Sequence, residues 1–121
     1  MANRNFNRVQ ALEKEVKHLY AEVNIGATGA PTIVKALGIT SISRSAAGTY
    51  SVTLSDKYMR LMHVSVIQLA SSAEDLTFQI KSNDVSSTKV VEIFCKAAAV
   101  ATDPSNGSKL FIKLEVKNST V

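Results

Sequence analysis

Apolar residues follow two different rhythms along this chain. From the N-terminus they fall at Val9, Leu12, Val16, Leu19 and Val23, alternately three and four apart, with Phe6 one turn earlier. That spacing places Val at a and Leu at d of a heptad, with charged residues between them, and it predicts an amphipathic, coiled-coil-like helix over residues 1–25. Five seam positions make about two and a half heptads, and a lone helix of that length is marginal in water. The expected helix therefore either bundles with copies of itself or lies on its own domain.

Gly26-Ala27-Thr28-Gly29-Ala30-Pro31 ends the helical pattern, since two glycines and a proline in six residues predict a linker or sharp turn over 26–31. Beyond it the period becomes two, and residues 32–121 read as a β-domain. Short β-prone runs cover 32–37 and 39–44, with a hairpin turn at Ser45-Ala46-Ala47-Gly48. Tyr50, Val52 and Leu54 alternate with Ser51 and Thr53. A turn with a short helical piece, capped by Ser55 or Asp56, is expected over 55–60. Leu76, Phe78 and Ile80 alternate next, then Val91, Ile93, Cys95 and Ala97. Asp103-Pro104-Ser105-Asn106-Gly107 reads as a turn. In the last run Leu110, Ile112, Leu114 and Val116 point one way and Lys109, Lys113, Glu115 and Lys117 the other, with Phe111 the exception. The fold class is therefore mainly β: an antiparallel β-sandwich or small barrel with an N-terminal α-helix.

The tract Leu61–Ala70 is apolar on both faces. It predicts a central strand covered on both sides, or a strand with one face against a neighbouring subunit, with Met62, Val64, Val66, Ile67 and Leu69 as the interface residues. The helix seam (Phe6, Val9, Leu12, Val16, Leu19, Val23) is the second candidate contact.

Charge and chemistry narrow the function. The net charge is +4, spread along the chain with no basic run, and there is no Trp. A nucleic-acid partner is not expected from so thin and dispersed an excess. No apolar stretch approaches the length of a membrane helix. The lone cysteine, Cys95, excludes an intrachain disulfide and sits in an apolar run as a small hydrophobe. His18 and His63 lack metal-ligand spacing, and no Gly-x-Ser-x-Gly, phosphate loop or converging carboxylate pair occurs. The reading is a non-enzymatic chain with no catalytic residues, metal or cofactor, acting by surface contact.

One stretch carries a resemblance. Gly38-Ile39-Thr40-Ser41-Ile42-Ser43-Arg44-Ser45-Ala46-Ala47-Gly48-Thr49-Tyr50-Ser51-Val52-Thr53-Leu54 is followed by Ser55-Asp56-Lys57-Tyr58, then Arg60-Leu61, and the chain closes on Asn118-Ser119-Thr120-Val121. This pattern resembles small virion structural proteins of tailed bacteriophages. The resemblance implies a β-rich homo-oligomer, a trimer by preference, made in the host cytoplasm and carried on the capsid surface. Its partner would be the major capsid protein, and its role that of a decoration or cement protein. A head-fibre, neck or tail component and a carbohydrate-binding virion surface module are the alternative expectations.

Overall fold

A computed structural model describes residues 16–118. Alternation dictates its layout. Leu110, Ile112, Leu114 and Val116 all point inward, are at most 3% exposed, and lie on the final strand, Lys109–Lys117. Among the described residues the strands are β1 (Val16–Ile25), β2 (Pro31–Leu37), β3 (Ile39–Ala46), β4 (Thr49–Leu54), β5 (Arg60–Leu69), β6 (Thr77–Asp84), β7 (Val90–Ala97), β8 (Val100–Ala101) and β9 (Lys109–Lys117). They form two antiparallel sheets. The first has the order β2-β1-β9-β5, and the second has β3-β4-β7-β6 with β8 paired to β7.

The inward faces meet in one core. β1 contributes Leu19, Ala21, Val23 and Ile25, β4 contributes Val52 and Leu54, β7 contributes Val91 and Ile93, and β9 contributes its four apolar residues. The cavity in this core, between Tyr50, Val66, Phe78 and Ile112, amounts to only about 10 Å³, as expected of an interior packed to crystal density. Gly38 makes the tight crossing from β2 to β3. Its φ is +78°, and a Cβ there would collide with the Leu19 side chain.

The N-terminal helix is not what residues 16–25 form. They are a central strand, paired with β2 on one side and with β9 over nine positions on the other. Leu19 and Val23 are four residues apart, an even number, so they satisfy a strand's period as well as a heptad's. Ala21 and Ile25 complete the buried alternate set. Two neighbouring strands outweigh a local helical pattern in a stretch that includes β-branched Val16, Val23 and Ile25. Of the seam residues, Val16, Leu19 and Val23 therefore belong to the sheet, while Phe6, Val9 and Leu12 lie outside the described residues. Of the two readings of residues 26–31, the sharp turn holds: they form the tight β1–β2 connection, with Gly26 N–H bonded to Ala30 O at 2.8 Å and Pro31 opening β2.

Two smaller expectations also change. The stretch 55–59 is a bend without a helical turn, held by Tyr58 N–H to Val85 O and Met59 N–H to Lys117 O. β5 is not central: it pairs with β9 alone and forms an edge of the first sheet.

Burial predicts how the fold responds to truncation. Leu114 is fully buried, so Leu114→Ala should cost about 2–5 kcal/mol. Ile67 is 65% exposed, so Ile67→Ala should stay within about 0.5 kcal/mol of wild type. Urea unfolding of both variants at constant m-value checks the contrast.

Candidate interaction surface

The polar chemistry of the described residues converges at one point, beside the β1–β2 turn. Asp103, in the β8–β9 connection, accepts two bonds from Arg44 of β3, from Nε at 3.0 Å and Nη2 at 2.9 Å. It also accepts the Gly48 backbone N–H at 2.8 Å. The Tyr50 hydroxyl donates to Gly29 O at 2.8 Å and lies 3.3 Å from Asp103 Oδ1. Gly48 turns at φ +67°, and a Cβ there would stand 2.5 Å from Cys95 O, so the β3–β4 turn fits only without a side chain.

This cluster is a clip between the sheets, in which the Asp103 carboxylate and the Tyr50 hydroxyl are held by groups of the same cluster. The Arg44 guanidinium, helped by Gly48 N–H, holds the Asp103 carboxyl below its ordinary range. Burial and the adjacent Asp103 push the Tyr50 hydroxyl upward, so it stays a neutral donor. A second carboxylate, Glu74, is also lowered. It accepts from Ser105 Oγ and Gln68 Nε2, tying the β5–β6 connection to the loop before β9.

The residues with chemical potential do not meet. Cys95 is buried on β7, and burial pushes its thiol up to about 11. His63 lies exposed on β5, opposite Glu115 on the outward face of the first sheet. His18 approaches the same Glu115 from β1 at 3.4 Å. No group of three or more His, Cys, Asp or Glu placed to hold a metal occurs among the described residues.

What remains is the outward face of the first sheet. Cross-strand pairing lines up Leu37, Tyr20, Lys113 and Ser65 in one row, then Lys35, Glu22, Phe111 and Ile67 in the next. Tyr20 and Phe111 are each 44% exposed, Leu37 is 56% and Ile67 is 65%. Together they line a shallow depression of about 380 Å³. Four large side chains left roughly half exposed present on the order of 350 Å² of apolar surface, comparable to the largest patch on a typical monomer. Two of the lysines around it are paired: Lys109 Nζ lies 2.7 Å from Glu22, and Lys113 Nζ lies 3.6 Å from Glu115 and near the Tyr20 ring.

The five candidates on β5 divide between the faces. Val64 and Val66 are partly buried against the core, Ile67 and Leu69 face outward, and Met62 is skipped in the ladder at the start of the strand and is 50% exposed. Tyr20 was hidden from sequence reasoning because 1–25 reads as a helix, and Leu37 because nothing in the short run 32–37 shows which strand lies beside it. Phe111 carried a legible signal as the one apolar residue on a charged strand face. Below β5 the two sheets stand apart, and a cleft of about 390 Å³ opens between β5 and β6, lined by Val64, Val66, Leu76, Phe78, Ile80 and Ile93.

The clip predicts an acid limit. A carboxyl lowered by folding contributes stability above its unfolded pKa of about 3.9, and that contribution is lost as pH falls through the folded value. Melting temperature should therefore hold above pH 5 and fall below pH 4. Asp103→Asn should melt lower at neutral pH and show a shallower acid fall, measured by circular dichroism from pH 2 to 7. No family model, curated protein or solved structure matches the chain.

Proposed function

We propose that this chain is a virion structural protein, a homo-oligomer that coats a shell of major capsid protein and stabilises it, with the outward face of the first sheet as its contact surface. The observation that carries the reading is the exposed cluster Leu37, Tyr20, Ile67 and Phe111, flanked by lysines, Lys109 and Lys113, that are held by carboxylates of the same face. The resemblance of about residues 32–121 to small virion proteins of tailed bacteriophages supplies the setting.

Energetics fit a repeated coat. Burying about 350 Å² of apolar surface at about 25 cal/mol/Å² gives roughly 9 kcal/mol gross. Association costs of about 4–15 kcal/mol offset most of it, so one copy alone binds weakly. Many joined copies on a lattice bind through avidity. A coat that binds only the mature lattice stabilises that lattice by mass action.

The test adds purified chain to particles lacking it. Wild type should occupy hundreds of sites per particle and raise the temperature of genome release. Phe111→Lys should bind at least tenfold more weakly while melting within a few degrees of wild type. Equal binding by Phe111→Lys, or no binding by wild type, would overturn the reading. Occupancy of a dozen copies or fewer would replace the coat with a fibre or neck role.

A further inference from the structure

The first sheet ends on β5, an edge whose obstacles to strand addition, Arg60 and a bulge at Met62, are confined to its start. Free sheet edges are normally blunted by charge, proline or bulges. The other three edge strands carry such devices. β2 begins at Pro31, bears Lys35 and skips Val34 in its ladder. β3 bears Arg44 and breaks register twice. β6 bears Lys81, which is skipped in its ladder, and ends at Asp84. β5 begins at Arg60 and from Leu61 to Leu69 has no Lys, Arg, Asp, Glu, Pro or Gly. Its one irregularity lies at the start, and pairing is regular from His63 to Leu69.

We propose that β5 pairs antiparallel with β5 of a second copy across a two-fold axis, continuing the first sheet from one protomer into the next. This rests on the reading of the chain as a self-associating coat protein and specifies one of its contacts. Self-pairing demands a strand that does not oppose its own charges, and Leu61–Leu69 has no carboxylate, ammonium or guanidinium group to oppose. Side-chain alternation restricts the register, because outward residues must face outward ones. Centring on Val66 or on Ile67 satisfies it. Either register sets Ile67 beside Ile67 or Ser65 of the second copy, and the two apolar faces join into one. The same contact closes the mouth of the β5–β6 cleft.

The size of the contact sets its strength. Centred on Val66, seven paired residues at about 3.4 Å each give a seam of roughly 24 Å, centred on Ile67 five give roughly 17 Å, and two layers about 10 Å apart give it depth. The area is on the order of 400 Å² per copy, about half of what a standard stable interface buries on each partner. The dimer should therefore dissociate on dilution, in the micromolar range.

The experiment measures mass by light scattering and sedimentation for the full chain over a concentration series, with Ser65→Lys and Ser65→Glu. Ser65 lies mid-strand on the outward face, beside the two-fold in either register. Wild type should reach two copies. Each variant alone should associate at least tenfold more weakly while melting within a few degrees of wild type, and an equimolar mixture of the two should recover dimers. A mass of three copies, a dimer indifferent to both Ser65 variants, or a mixture that stays monomeric while wild type dimerises would overturn the pairing. If Phe111→Lys still loses particle binding in any of those cases, the coat function stands without this pairing. A chain that is monomeric at every concentration yet binds particles overturns the pairing alone, and one that does neither overturns both.

Discussion

β9 holds the first sheet together, because both of its long partners reach the sheet through it. β1 pairs with it over nine positions from one side, and β5 pairs with it from Arg60 to Leu69 on the other. The four inward side chains of β9 fill the centre of the core. Phe111 on its outward face stands between Glu22 of β1 and Ile67 of β5. One alternating strand therefore fixes both the interior and the exposed surface. The first and last described strands are neighbours, so the sheet cannot close until the whole chain is in place. That long-range pairing predicts slow folding relative to helical proteins of similar size.

The polar clip plays a different part. Arg44, Gly48, Tyr50, Gly29 and Asp103 come from distant parts of the chain and satisfy one another at one corner of the molecule. Ionisable groups arranged this way join loops, with the Asp103 carboxylate and the Tyr50 hydroxyl engaged inside the protein. The outward face of the first sheet has the opposite character, with large apolar groups exposed beside the paired Lys109 and Lys113.

Much of the β-domain was legible in the sequence. The inward set of β9 and the alternation at Tyr50, Val52 and Leu54 read directly, and the Gly48 hairpin falls where its turn chemistry requires. Residues 16–25 misled for a definable reason: an even spacing of four serves a strand as well as a helix, and nothing local reveals that β2 and β9 flank it. Leu61–Ala70 left two alternatives open, a central strand covered on both sides or a strand with one face against a neighbouring subunit. β5 is an edge strand with one side on the core and the other open, so the first alternative falls. Apolar pattern records that a face is to be buried without recording by what. Asp103 gave no signal beyond a turn, because its partners lie 55 and 59 residues away.

The central claim is that the outward face and free edge of the first sheet are where the chain meets other molecules. Amide hydrogen exchange on the assembled protein, compared with the dilute chain, tests it most directly. The account predicts that β5 and the outward-facing rows of β1 and β9 gain protection on assembly while β3 and β4 of the second sheet do not change. Protection gained on β3 and β4, with β5 still exchanging as it does in the dilute chain, would contradict it.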